Sequence, residues 1–302
     1  MLKRTLYFTN PAYLSSRLKQ LVVSFPAETE RPASSVPLED LGMLVLEDRS
    51  ITITNSLLGD CMVHNIAVVV CDEKHMPGGL LLPLEGNTLL GDRSRMQMDT
   101  SQPLKKQLWQ QLVQAKVRNQ AEILKWRGMN YRPLLSMVPE IKSGDSGNIE
   151  GAAARFYWMQ MMGELDTADR RHRTGDPPNN ALNYIYAIIR AMVARALVGS
   201  GLLPQLGIHH GNKYNAYPLA DDVMEPFRPM ADKLVWELLD DGHDMEILTT
   251  SIKAELLKVA QVDVMMEGEI SPLLIATQRV AAGLVAVLAG EKRKLALPEP
   301  IV

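Results

Sequence analysis

Three short stretches of the chain combine residue types that can hold a divalent cation. The first is Asn148-Ile149-Glu150-Gly151, followed by Ala152, Ala153, Ala154 and Arg155. The small residues let a ligand or another backbone come close to Glu150. An acid in a first helical turn is also favoured by the helix dipole alone. The second stretch is Gly207-Ile208-His209-His210-Gly211-Asn212, a histidine pair between glycines in a predicted loop. Neutral imidazole ligates transition metals and serves as a general base, although a bare histidine pair is also common surface. The third runs Asp221-Asp222-Val223-Met224-Glu225-Pro226-Phe227-Arg228. Asp222 and Glu225 are three apart and share a face if the segment is helical. Two carboxylates on one face repel unless a cation sits between them. Oxygen donors suit Mg²⁺ or Mn²⁺, and an added imidazole shifts the preference towards Mn²⁺. Pro226 is tolerated in a first turn, which suggests a helix start near Asp222. Taken singly, each stretch has a plain structural explanation. Together, a glutamate, a histidine and an acidic pair from separate segments describe one site suited to metal-assisted phosphoryl transfer.

Helices have to carry these residues. Beyond about residue 95 the pattern has the 3.6-residue spacing of helices over 103–127, 147–166, 179–200, 220–240, 244–262 and 271–293. The first 85 residues read as β: short β-prone runs at 4–8, 20–25, 43–46 and 50–54, a helix at 55–64, and the continuous apolar run IAVVVC at 66–71. The segment 26–37 reads as a loop, and MPGG at 76–79 as a turn before the apolar run 80–84. The predicted class is α+β, a small β-rich N-terminal domain (1–90) followed by a larger all-helical catalytic domain (91–294), with the boundary between Glu85 and Pro103 and a loose tail at 295–302.

The chain has 302 residues, 46% of them hydrophobic and 22% charged, ample for two buried cores. No continuous apolar run of bilayer length is evident, and the N-terminus lacks the apolar stretch of a signal peptide, so a cytoplasmic protein with no membrane partner is expected. Cys61 and Cys71 are too few for a disulfide framework and too far apart for a zinc knuckle. The net charge of -3 hides an asymmetry. Residues 91–215 hold 17 Lys+Arg against 10 Asp+Glu, whereas 216–302 hold 8 against 15. A basic middle beside an acidic end could place a phosphate-binding face next to carboxylates, or be no more than uneven surface charge.

Longer blocks resemble a known family: LKRTLYFTNPAYL, NIAVVVCDEKHMPGGLLLPLEGN, NIEGAAARFYW, GDPPNNALNYIYAIIRAMVARALVGSGLLPQLGIHH and NKYNAYPLADDVMEPFRP. Spread nearly end to end, they are similar to the CRISPR-associated integrase/endonuclease that inserts new spacers, in its type II form. One departure is Ile185, where relatives often carry glycine; it touches packing and not chemistry. The resemblance implies a homodimer, a small dimeric second adaptation protein as partner, a short double-stranded DNA fragment and CRISPR repeat DNA. It also implies a metal triad of Glu150, His210 and Glu225, with His210 preferred to His209. Asp222 would be an auxiliary acid, either supporting a ligand or binding metal itself. The implied reaction is attack of a DNA 3′-hydroxyl on a backbone phosphate of the repeat. Arg155, Arg170, Arg171, Arg173 and Arg228 are candidates for phosphate contacts. Two other readings share these residues: a metal-dependent nuclease acting on branched DNA in repair, and a non-catalytic dimeric scaffold that holds DNA.

Overall fold

The computed structural model describes residues 3–163 and 176–302. The N-terminal part comprises β1 (Arg4–Phe8), β2 (Tyr13–Arg17), β3 (Gln20–Ser24), β4 (Ser34–Pro37), β5 (Leu41–Leu46), β6 (Thr52–Ile53), α1 (Asn55–Val63), β7 (Ala67–Cys71) and β8 (Pro77–Leu81). One sheet has the order β1-β5-β7-β8, parallel except for β8, and the other the order β4-β3-β2-β6. The apolar runs of β5 and the first half of β7 are covered on both faces, whereas Val70 near the end of β7 is exposed. Along them Met43, Val45, Ala67 and Val69 join the core of the helical part. The alternate residues Leu44, Leu46 and Val68 pack on Leu14, Leu21 and Val23 of the second sheet and on Leu57 and Cys61 of α1. The two parts therefore share a core through one sheet.

The helical part follows as α2 (Leu90–Met98), α3 (Gln102–Trp126), α4 (Arg132–Met137), α5 (Ile149–Met162), α6 (Asn179–Gly199), α7 (Pro218–Met224), α8 (Arg228–Asp240) and α9 (Thr250–Leu257). It ends with β9 (Asp263–Met266), β10 (Glu269–Pro272), α10 (Leu273–Leu288) and β11 (Glu299–Pro300). The architecture is α+β, with the sheet-rich region first and the helices after it. A three-stranded antiparallel sheet, β10-β9-β11, adds strands to a domain expected to be all helix. α3 is capped by the Ser101 side chain and carries Pro103 in its first turn, as a strong helix start requires. Its buried stripe runs through Trp109, Leu112, Val113, Lys116 and Gln120, so a lysine lies on an otherwise core-facing surface. α6 is by itself long and apolar enough to cross a bilayer, contrary to the sequence reading, but 78% of its most apolar window is buried in this fold. It is the central helix, packed against α7, α8, α9 and α10.

Several expectations need correction. The tail 295–302 is docked rather than loose. β11 pairs with β9, the Leu295 amide donates to Gln111 Oε1 (2.8 Å), and Asn119 Nδ2 donates to the Pro298 carbonyl (2.9 Å). The segment expected as one helix over 220–240 is α7, a 3-10 turn at Glu225–Phe227 and α8, because Pro226 cannot supply the ladder's amide. Residues 244–249 are not helical, and Ser271 belongs to β10. The strand β8 starts inside MPGG; the reversal before it is built on Asp72, whose side chain accepts the Lys74 and Met76 amides. Strand β4 pairs with β3 at the end of the expected loop.

Two buried polar ties cross between the parts. Lys253 of α9 lies 2.7 Å from Glu47, just after β5, with both side chains almost fully buried. Arg195 of α6, 2% exposed, donates through Nε to the Asn65 carbonyl at 2.6 Å, and burial pushes its pKa down to about 10. Both cysteines are free, and burial raises their thiols to about 11.

Candidate active site

Glu150 is fixed by the way its helix begins. The Asp145 carboxylate accepts the Ile149 and Glu150 amides, each at 2.9 Å, satisfying two donors of the first turn. Asn148 adopts a left-handed backbone (φ 50), and its side chain folds over the helix start. Gly151 leaves room for it: a Cβ there would sit 2.8 Å from Asn148 Oδ1, so the exposed Asn148 side chain would have to turn away. Glu225 arrives from the other side, on the 3-10 turn between α7 and α8. Asn119 of α3 holds that turn by donating to the Pro226 carbonyl at 2.8 Å.

Lys116 of α3 stands between the two acids. Its Nζ lies 2.5 Å from Glu150 Oε1 and 2.5 Å from Glu225 Oε2. Glu225 Oε1 is 2.8 Å from Arg228 Nε. Burial pushes the Glu225 carboxyl up, but Arg228 and Lys116 outweigh it and hold its pKa at about 2. For Lys116 burial pulls the other way, and Glu225 and Glu150 raise it above the ordinary value. Both Glu225 contacts are close but misaligned, so buried Glu225 Oε2 and Arg228 Nε lack a hydrogen bond among the described residues. Two carboxylates from separate segments thus converge on one positive charge, and Glu225 Oε2 meets it as an ion pair without an aligned hydrogen bond. This donor set fits a hard divalent cation, with the ammonium as its stand-in.

His210 is held by Asp222 of α7, which is fully buried. Asp222 Oδ2 accepts the Ile208 (2.6 Å) and His209 (2.9 Å) amides; Oδ1 accepts the His210 amide (3.1 Å) and faces His210 Nδ1 at 2.5 Å. A carboxylate only accepts, so Nδ1 carries the proton and Nε2 is the nitrogen left for a ligand. The hydrogen bond to Asp222 raises the His210 pKa against the opposing effect of burial, and Glu225 adds to the rise. Gly207 lets the carboxylate in: a Cβ there would meet the His210 carbonyl at 2.3 Å and Asp222 Oδ2 at 3.2 Å. Gln97 of α2 secures the approach to this loop, donating to the Leu203 and Leu206 carbonyls and accepting the Leu203 amide, all within 3.0 Å.

The three sequence-predicted ligands are therefore not yet one cage. Among the described residues no group of three or more His, Cys, Asp or Glu side chains closes around a common point. Glu150 and Glu225 are closed by Lys116, and His210 faces Asp222 while sensing the charge of Glu225. Asp222 and Glu225 share a segment but act apart, one on the histidine loop and the other on the cation position. Arg228 is half-buried against Glu225 and over the Tyr186 ring, 4.6 Å from its centroid, so it is committed to the site. Arg155 is exposed on α5, and Arg170, Arg171 and Arg173 lie outside the described residues. Beside His210 an open groove of about 480 Å³ is lined, among the described residues, by Lys105, Lys213, Gln97, Gln205 and Asn212 and by no acid.

Lys116, Gln97 and Trp109 escaped the sequence reading. Lys116 did leave a signal, a charge inside the apolar stripe of α3 between Val113 and Val117. Lys116→Met is expected to lower the melting temperature of the metal-free protein by about 5–10 °C, because it removes the ammonium between two acids and leaves the buried Glu225 with Arg228 alone, at a cost of about 3 kcal/mol. Mn²⁺ should restore more stability to this variant than to the wild type, since it then supplies the missing charge. Melting curves with and without Mn²⁺ that show the same gap would remove Lys116 from the cation position.

The family model described as CRISPR associated protein Cas1 matches residues 6–247. The CRISPR-associated endonuclease Cas1 of Neisseria meningitidis serogroup C is 35% identical over 299 residues, covering 98% of this chain and 96% of that protein. A casposase bound to integration product has a similar fold, with a TM-score of 0.78 at 20% identity over 98% of this chain and 93% of its own. A Cas6-RT-Cas1–Cas2 complex matches 99% of this chain through 36% of its own chain, with a TM-score of 0.74 at 18% identity.

Proposed function

Because the chain belongs to the Cas1 family of CRISPR-associated proteins, we propose that it is the metal-dependent integrase of CRISPR adaptation, and that Glu150, Glu225 and His210 hold its Mg²⁺ or Mn²⁺. The observation that carries this reading is the convergence of Glu150 and Glu225 on a single cation position, with Asp222 presenting His210 beside it. In the reaction, the 3′-oxygen of an incoming DNA fragment bonds to a phosphorus at the repeat edge, and the phosphorus–O3′ bond of the repeat strand breaks. One phosphodiester replaces another, and the proton of the attacking hydroxyl must leave.

When bound, a divalent cation lowers the cost of the attacking alkoxide and of the charge that builds on the phosphate. The chain's own residues prepare for this. Asp222 orients the imidazole and keeps Nε2 unprotonated in the neutral ring. Lys116 and Arg228 surround Glu225 with positive charge, so its carboxylate stays ionised at neutral pH. Lys105 and Lys213 line the groove next to His210, where they can meet a phosphate backbone. Arg155, and Arg170, Arg171 and Arg173 in the segment after α5, are further candidates for the DNA backbone.

The partners proposed are a second copy of this chain, a small second adaptation protein, a short duplex and repeat DNA, in the cytoplasm of a prokaryote. The likeness to the Cas1 portion of a Cas1–Cas2 complex supports the second partner. The test uses a labelled duplex with free 3′ ends, a plasmid carrying the repeat, and Mn²⁺ or Mg²⁺, with and without the partner. Joined product that vanishes with 3′-deoxy ends supports the integrase. Plasmid cleavage with no joining under every condition would assign the site to a nuclease, and binding with neither product to a scaffold.

A further inference from the structure

His209 precedes the proposed ligand, and the family resemblance passes over it. Its ring lies flat on the indole of Trp109, with centroids 4.1 Å apart and planes 1° from parallel. Trp109 is 1% exposed on the buried stripe of α3, whereas His209 is on the surface. The His210 ring meets this pair edge-on, with its centroid 5.5 Å from Trp109 and 5.6 Å from His209, at 86° to each. Trp109 is two helical turns before Lys116 on the same face of α3, and Lys116 touches both Glu150 and Glu225.

The loop is thereby held on two sides. Asp222 takes the amides of Ile208, His209 and His210 from the α7 side. The ring of His209 rests on α3, the helix that carries the cation position. Hydrogen bonds to Asp222 set the imidazole's tautomer and hold the loop's amides from the α7 side. A flat stack on a buried indole adds a hold from the α3 side, because sliding forfeits the ring overlap.

We propose that His209 is a positioning residue: its stack on Trp109 registers the His210 loop against α3, and so against Glu150 and Glu225. Its imidazole has no chemical step of its own. Any flat aromatic ring should serve, and a ring-less side chain should not. The inference rests on the integrase reading for its activity readout, but it is also tested without activity.

The experiment compares the wild type, His209→Ala and His209→Phe as full-length protein with its partner and DNA. His209→Ala should lower the joining kcat about tenfold and leave DNA affinity unchanged within about twofold, since small misplacements of a reacting group cost rate more than binding. Amide exchange at Ile208 and His210 should be about three- to tenfold faster in His209→Ala, the range expected from losing one aromatic pair. His209→Phe should return both quantities close to wild type. His209 is on the surface, so folding of the variants is checked simply by their melting curves. Wild-type rate or wild-type exchange in His209→Ala would overturn the proposal. So would His209→Phe with slow exchange but a rate as low as His209→Ala, which would give the imidazole a chemical role. If the wild type itself joins no DNA, the integrase reading fails, and the amide exchange still decides the positioning role.

Discussion

Alanine at His210 is expected to abolish strand transfer, by about 10³-fold or more, while the protein keeps its fold. The rate rests on the loss of a ligand that can also accept a proton, and a positioned acid–base group alone contributes about 10²–10⁴-fold. The fold is spared because the His210 side chain is 43% exposed and its ring contacts are with Asp222, Trp109 and the surface ring of His209. Glu150→Ala and Glu225→Ala should be equally inactive, with a difference in stability. Glu225 is buried between Lys116 and Arg228, and removing it takes the carboxylate from Arg228 and leaves Lys116 with Glu150 alone, at a cost of about 3 kcal/mol. Glu225→Gln keeps the volume and separates loss of charge from loss of packing. The measurement is joined product at saturating Mn²⁺, on protein shown to be folded by its melting curve. Near-normal joining by any one of these variants takes that residue out of the site.

Asp222→Asn should cost joining activity about 100-fold, and added Mn²⁺ should not recover it. Residue spacing alone describes Asp222 as an acid sharing a cation with Glu225, and that role predicts a weakened metal affinity that higher Mn²⁺ would mend. The geometry points elsewhere. Among the described residues, the four hydrogen bonds of the Asp222 side chain all go to the histidine loop: three amides and the His210 ring. A carboxylate can accept all four, whereas an asparagine accepts on one oxygen and turns an NH₂ towards two donors. A buried donor left facing another donor costs about 1–3 kcal/mol, and more where the lost partner was charged. The expected signature is therefore a lowered plateau in joining against Mn²⁺, faster amide exchange over 208–210, and loss of the raised His210 pKa. A curve displaced to higher Mn²⁺ with a normal plateau would return Asp222 to the cation.

Residue types settled much of this protein before any coordinates. The continuous apolar run 66–71 suited a buried strand, and the long 3.6-residue patterns of 103–127 and 179–200 suited core helices; β7, α3 and α6 are there, with Val70 of β7 exposed. The motif Asn148-Ile149-Glu150-Gly151 placed an acid at a helix start, and α5 begins there with Glu150 in its first turn. These features are local: side-chain periodicity, turn propensity and backbone freedom act over a few residues. Other features depended on chain segments that meet only in the fold. That a lysine 34 residues before Glu150 and 109 before Glu225 would lie between them follows from α3, α5 and the 3-10 turn packing side by side. The division of labour between Asp222 and Glu225 was equally out of reach, because a spacing of three gives a shared face and not what lies opposite it. The tail 295–302 looked loose for the same reason, since its partners Gln111, Asn119 and β9 are distant in sequence. Composition and periodicity record which surfaces must be buried; which polar group each buried charge meets is decided by long-range packing, where an unpaired partner costs several kcal/mol.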